Sequence, residues 1–193
     1  VSPGELAKNI NSKTKVLILN SPANPTGCVY TPSELAKIAK ICVENKIFVI
    51  SDEIYEKLIY DGLRHVSIAG FNKEIYSLTI TINGLSKSYS MTGWRIGYLG
   101  APDYVAEAIS RLQDHSTSNP NSIAQKAGVA ALSAPDNFSK QICEEFRKRR
   151  DYCIARLQAM PKITPIIPMG AFYIFCDISK TRLSSVNVAN RLL

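Results

Sequence analysis

Histidine is scarce in this chain. His65 and His115 are the two present among 193 residues. The five cysteines (Cys28, Cys42, Cys143, Cys153 and Cys176) show no metal-ligand spacing, so a zinc site is not expected. They are also scattered and odd in number, which argues against a disulfide framework and reads as reduced thiols of a cytosolic protein. No apolar run approaches the length of a membrane span, so a membrane protein is not expected. The opening "VSPGELAKNINSK" is polar and lacks the character of a signal peptide. Repeats and low-complexity tracts are missing as well. What remains is a globular composition, 46% hydrophobic and 20% charged, with a length that suits one large domain or a domain and a half.

Acidic residues are outnumbered, 16 against 23 lysines and arginines, for a net charge of +7. Such a surface keeps a protein soluble and draws anionic ligands such as phosphates and dicarboxylates. Nucleic-acid binding is not expected. The densest basic run, "FRKRRDY", continues a helical pattern and is flanked by acids.

Short apolar runs punctuated by loops organise the first half. "TKVLILN" (14–20) reads as a buried strand leading into the loop "SPANPTG". "TPSELAKIAKICVEN" opens with a capping box, Thr31 capping, Pro32 at the first helical position and Glu34 closing it. Leu35, Ile38, Ala39, Ile41 and Cys42 give that helix its apolar stripe. "IFVIS" (47–51) predicts a second strand with Asp52 at its end, "YSLTITIN" (76–83) a third with Lys87 just beyond it, and "IGYLGAP" a fourth. Alternation of this kind predicts an α/β fold with a mostly parallel sheet covered by helices on both faces. Beyond Pro102 the pattern is helical: "DYVAEAISRLQ", "NSIAQKAGVAALS" and a long helix from about Pro135 to Met160 that could connect two domains. "GAFYIFCDIS" predicts a strand and "SVNVANRLL" a further helix.

Polar residues at the carboxyl ends of parallel strands are where ligands gather in such sheets. Asp52 and Lys87 both fall there. A reactive lysine needs a lowered pKa, and a cationic neighbour helps to provide it; Arg95 lies eight residues on and could also bind a phosphate. A buried aspartate needs a cationic partner, and Tyr55 follows Asp52 by three residues. An amine, an arginine, an aspartate and a phenol are what pyridoxal 5′-phosphate (PLP) requires of its protein. Each also has a plainer reading taken singly: a solvated surface lysine, a capping aspartate, a structural ion pair.

"NSPANPTG", "SDEIYEKLIYDG" and "NGLSKSYSMTGWRIGY" resemble, in order and separation, three successive signatures of the class I aminotransferases, which are fold type I PLP enzymes. Within that family the nearest subgroup is the bacterial aspartate aminotransferase type, some members of which also use prephenate. "STSNPNSIAQ" and "GAFYIFCDIS" extend the resemblance over essentially the whole chain. It implies that Lys87 is the Schiff-base lysine and the base of the proton transfer. Asp52 is implied as partner of the pyridinium nitrogen, Tyr55 and Asn24 as hydrogen-bond partners of the phenolic oxygen, and Arg95 as the phosphate ligand. The Asn24–Pro25 bond is implied to be cis. Many relatives carry a phosphate-binding serine three residues before the lysine; Gly84 stands there instead, and Ser86, next to the lysine, is the remaining candidate. Ser88 reads as turn packing.

Relatives run to about twice this length. A glycine-rich phosphate loop and a ring-stacking aromatic are expected before Val1, and the arginine that grips the substrate carboxylate after Leu193; Arg182 and Arg191 do not lie in its motif. The chain is therefore expected to be a central piece: residues 1–145 the later part of a large PLP-binding domain, residues 146–193 an interdomain helix and the start of a small C-terminal domain. The full-length protein is expected to be a cytoplasmic homodimer acting on an amino acid, aspartate first, and a 2-oxo acid, 2-oxoglutarate first. The piece alone is expected not to transaminate. Two other functions fit the same cofactor signatures: a lyase or decarboxylase, and a PLP-sensing domain of a transcription regulator.

Overall fold

The computed structural model describes residues 1–193. Local capping starts its first helices. Ser2 accepts from the Glu5 amide while the Glu5 carboxylate accepts from the Ser2 amide, so a capping box begins α1 (Pro3–Asn9) inside the polar opening. β1 (Val16–Asn20) follows, then α2 (Pro32–Glu44), which is capped by Thr31 and Glu34 as expected. β2 spans Phe48–Asp52 and β3 spans Thr79–Gly84. The third strand starts three residues later than the apolar run suggests. Asn72 caps a one-turn helix, α3 (Lys73–Tyr76), by accepting from the Ile75 amide, and the Thr79 hydroxyl donates to the Ile75 carbonyl. The apolar residues of that run are thus divided between a helix and a strand. α4 (Leu85–Ser88) follows β3 at once, and β4 (Gly97–Gly100) returns beside it.

The sheet has the order β1-β2-β3-β4, with the first three strands parallel and β4 antiparallel to β3. The register pairs Asn20 with Asp52 and Asp52 with Ile82, so β1 and β2 end level and β3 runs two residues further, to Gly84. Leu19 and Val49 point to one face, where they pack with Leu35, Ile38, Ala39 and Cys42 of α2, Leu6 of α1, and Ile68 and Ile75. This is the main core. Cys42 is fully buried in it, and burial pushes its thiol up to about 11, which keeps it protonated and inert. The opposite face is more open: Ile18 is 73% exposed. The helices after β4, α5 (Asp103–Ser116) and α6 (Ser122–Ser133), do not cover it. α5 buries no residue, and α6 buries Ala124 and Gly128, the latter close against Leu85 and Ile96.

α7 (Asn137–Gln158) is the expected long helix. It is followed by β5 (Thr164–Pro165), β6 (Cys176–Asp177) and α8 (Ser185–Leu192). The strand expected over "GAFYIFCDIS" shrinks to the two residues of β6, paired with β5. The residues before β6 bond elsewhere. The Gly27 carbonyl accepts from the Met169 and Gly170 amides (2.8 and 2.9 Å), and the Leu58 carbonyl accepts from the Ala171 amide (2.9 Å). Residues 168–173 therefore form a strap across the loops that follow β1 and β2. The crossing is tight enough to demand glycine. A Cβ on Gly27, which has a φ of +68°, would lie 2.2 Å from Pro168 Cβ. A Cβ on Gly170 would lie 2.7 Å from Pro22 Cβ and 2.8 Å from the Leu58 carbonyl oxygen.

Arg150 of α7 fastens the strap. Its side chain is 8% exposed and pairs bidentately with Asp61 at 2.7 and 2.8 Å. It donates to the Pro168 carbonyl at 3.2 Å and lies over the Tyr60 ring, 4.7 Å from its centroid. Arg150 holds the Asp61 carboxyl below its usual range, chiefly through those hydrogen bonds. The loop after β1 contains two cis peptide bonds, Ser21–Pro22 and the expected Asn24–Pro25.

Candidate active site

Because β1, β2 and β3 are parallel and end within two residues of one another, the residues just past their carboxyl ends share one rim of the sheet. Asn20 ends β1 and organises this rim. Its side chain donates to the Asp52 carbonyl (3.1 Å) and accepts from the Asn24 amide (2.7 Å). Asp52 ends β2, half-buried, with one carboxylate oxygen accepting from the Ile54 amide at 3.2 Å. The turn that follows buries Tyr55 to 3% exposure. β3 ends at Gly84, and the single turn of α4 lifts Lys87 to the same rim. The Lys87 ammonium lies 5.2 Å from the centroid of Phe172 and 5.9 Å from that of Tyr55. It makes no ion pair, nor do Asp52 and Arg95.

Arg95 reaches this end of the sheet by reversal of the chain. The antiparallel register sets Gly84 opposite Gly97, so a residue just before β4 returns to the end where β3 finishes. Arg95 follows a 3-10 turn (Thr92–Trp94) at a left-handed φ of 52° and is exposed, with one guanidinium nitrogen donating to the Thr92 carbonyl at 3.0 Å. Ser86 is half-buried and its hydroxyl bonds no protein group, while the buried Ser88 hydroxyl is unpartnered. Gly84 is buried, and a Cβ there would meet Ile54 Cδ1 at 3.1 Å and Gly97 Cα at 3.2 Å. Close packing of β3 on β4 thus disfavours a serine at that position.

The strap brings groups to which the sequence reading gave no role. Phe172 packs edge-on to Tyr55 at 5.4 Å. The hydroxyls of Tyr55 and Tyr173 are 2.6 Å apart, and the Asn24 amide nitrogen donates to the Tyr173 hydroxyl at 3.4 Å. Burial first, then the bond to Tyr173, pushes the Tyr55 phenol well above its usual range. The motif "GAFYIF" held the signal for both aromatics, but a strand reading makes no statement of which side chain reaches the rim. Behind the rim, buried Glu53 accepts from the Ser51 and Ser67 hydroxyls (2.8 and 2.7 Å) and lies 2.7 Å from a ring nitrogen of His65. Burial raises the Glu53 carboxyl, but these bonds outweigh it and hold the group below its usual range.

The model for aminotransferases of class I and II matches residues 3–193. The chain belongs to the class I and II aminotransferase family. It is 46% identical to an aspartate aminotransferase of Geobacillus stearothermophilus over 91% of this chain and 44% of that protein. It superposes on a Thermus thermophilus aspartate aminotransferase solved with maleate, at a TM-score of 0.93 and 38% identity, covering all of this chain and 50% of that one. An aromatic aminotransferase from Pyrococcus horikoshii matches at a TM-score of 0.91 and 40% identity, over 98% of this chain and 51% of that one. These structures carry the fold type I architecture that the motifs imply. The chain spans about half the length of the relatives it matches.

Proposed function

We propose that this chain is the cofactor-holding part of a PLP-dependent aminotransferase that moves an amino group from an amino acid, aspartate first, to a 2-oxo acid, 2-oxoglutarate first. The observation that carries the reading is Lys87: an amine free of any carboxylate, against two aromatic rings, on the rim where Asp52, Tyr55 and Asn24 also arrive. The donor set fits PLP group by group. Lys87 supplies an amine for the aldehyde, Asp52 a carboxylate for the ring nitrogen, Tyr55 and Asn24 hydrogen bonds for the phenolic oxygen, and Arg95 a guanidinium for the phosphate, with Ser86 nearby. When bound, that cofactor supplies an electron sink and a carrier for the amino group.

The chain's own residues supply the rest. The Lys87 Nζ is the atom that takes a proton from the substrate carbon and returns it. Asp52, fixed by the Ile54 amide and by the end of β2, keeps a cationic nitrogen protonated by its charge. Phe172 and Tyr55 set two aromatic rings beside the Lys87 ammonium. The preference for aspartate follows relatives named for it; the aromatic relative has the same fold and a different substrate name. We assign residues 1–145 to the large domain and 146–193 to the interdomain helix and the start of the small one. The whole protein is proposed to be a cytoplasmic homodimer. No helix here is long and apolar enough to cross a membrane.

The test is chemical. The full-length protein is loaded with PLP, reduced with borohydride and digested. Label on Lys87 is the expected result, and label on another lysine overturns the assignment. On a separate, unreduced portion of the loaded protein, aspartate and 2-oxoglutarate should give oxaloacetate and glutamate; alanine and carbon dioxide formed from aspartate without 2-oxoglutarate point to a decarboxylase.

A further inference from the structure

We propose that Tyr173 is a positioning residue of this site: its hydroxyl holds the Tyr55 hydroxyl by a hydrogen bond, so that seating of the strap decides which way Tyr55 presents its proton beside Lys87. The inference rests on the reading that a phenolic cofactor oxygen is the group Tyr55 serves.

The argument is one of donor counting. Each phenol has one proton to donate. The Asn24 amide donates to the Tyr173 oxygen at 3.4 Å, and the two phenol oxygens are 2.6 Å apart. Either arrangement leaves one phenol proton over; where Asn24 donates to Tyr173 and Tyr173 donates to Tyr55, the one left is the Tyr55 proton, free for a group on the rim. In the reverse arrangement Tyr55 spends its proton on Tyr173 and has none to offer. A phenol whose oxygen already accepts is the better donor, since neighbouring hydrogen bonds polarise one another. Tyr55 is buried and Tyr173 half-buried, so water competes weakly for the pair.

The charged groups around the pair are Asp52, which raises the Tyr55 phenol, and Lys87, 5.9 Å from its ring. Neither replaces a hydrogen bond to the Tyr55 oxygen. Tyr173 also arrives from a different part of the chain. Asp52 ends a strand and Asn24, Tyr55 and Lys87 lie within four residues of a strand end, whereas Tyr173 is placed by the bonds that Gly27 and Leu58 make to residues 169–171. The hydroxyl pair thus reports to the rim whether the strap is seated.

Tyr173→Phe removes the hydroxyl and keeps the ring, which packs on Phe172 at 4.8 Å and on Tyr55 at 5.8 Å, so the fold should be retained. Two measurements on the full-length protein test the proposal. In the cofactor-free protein, carbon NMR of Cζ-labelled tyrosine should show the Tyr55 resonance and its titration moving on Tyr173→Phe; an unmoved resonance overturns the pair. With PLP bound, the pH midpoint of the lysine-linked absorbance band should rise by about half to one pH unit, the worth of one neutral hydrogen bond. In a Tyr55→Phe background the same change should do nothing further. An unshifted midpoint, or an equal shift in that background, overturns the proposal. If the resonance moves but no lysine-linked band forms, the hydroxyl pair stands, and what falls is the reading of the site together with the role built on it.

Discussion

The rim is built twice over, by two regions of different construction. The strand ends deliver Asn24, Asp52, Tyr55 and Lys87 from a hydrogen-bonded sheet backed by the ten-residue core around α2. The strap delivers Phe172 and Tyr173 from residues that belong to no strand and are held by a few backbone bonds, two glycine crossings and Arg150. The first region places chemistry close to a fixed frame: Asp52 lies in the strand register, and Asn24, Tyr55 and Lys87 lie within four residues of a strand end. The second places it conditionally, because a small number of bonds decides whether it is there. Rigid positioning suits the groups that must hold charge and react, and conditional positioning suits groups that adjust them.

The largest effect should come from the rigid side. Asp52→Asn in the full-length protein keeps the fold and removes a charge that the sheet end holds in place. Turnover is expected to fall about 10²–10³-fold, roughly 3–4 kcal/mol of barrier, with an unchanged urea midpoint. Near-normal turnover would break the assignment of Asp52. Gly170→Ala attacks the other side. Its Cβ would press on Pro22 and the Leu58 carbonyl, and a loss of about 1–3 kcal/mol in stability is expected. Residue 173 should become more open to hydrogen exchange while the β1–β3 amides stay protected. Equal loss of protection in both regions would show that strap and sheet are one cooperative unit.

Arg150→Met is a gentler cut at the same region. Asp61 is half-exposed and can turn to water, so about 1–2 kcal/mol is expected from chemical denaturation rather than the larger cost of a fully buried pair. The smallest effect sharpens the rigid side. The Glu53 carboxyl is held below its ordinary value near 4.5. Its contribution to stability is therefore complete above that value and is lost as pH falls through the lower folded one. The stability gap between the natural protein and Glu53→Gln should narrow as pH is lowered from neutrality to 3. A gap that stays constant would mean that Glu53 acts by packing alone.

The same division explains what could be read from the sequence. Asp52 and Lys87 were legible because strand ends in a parallel sheet are recognisable from apolar runs and loop residues, and the capping box at Thr31 fixed the intervening helix. Asn24, Arg95 and the cis bond came from motif resemblance; nothing local in "SPANPTG" says what its asparagine faces. The box at Ser2 and Glu5 is equally local, although the polar opening around it carries no apolar stripe to announce a helix. The third strand began later than expected because Asn72 could cap a turn that the apolar run did not announce. Phe172 and Tyr173 lie in the motif "GAFYIF", but their approach to the rim could not be read from it. Their place depends on backbone bonds from Gly27 and Leu58, and a two-residue β6 leaves no periodicity to detect.

The crossing of Gly27 and Gly170 also has a bearing on time. Tyr173 meets Tyr55 across 118 residues of chain and Asn24 across 149, while β1 and β2 pair across a single intervening helix. Closing a longer loop costs more entropy before any contact rewards it, and contacts of this separation form slowly. The strand-end residues should therefore be in place early, during or soon after synthesis, with the strap arriving last. A newly made molecule would pass through an interval in which Lys87 stands past the end of β3 but lacks Phe172 and Tyr173 beside it, and would mature only when the final crossing closes.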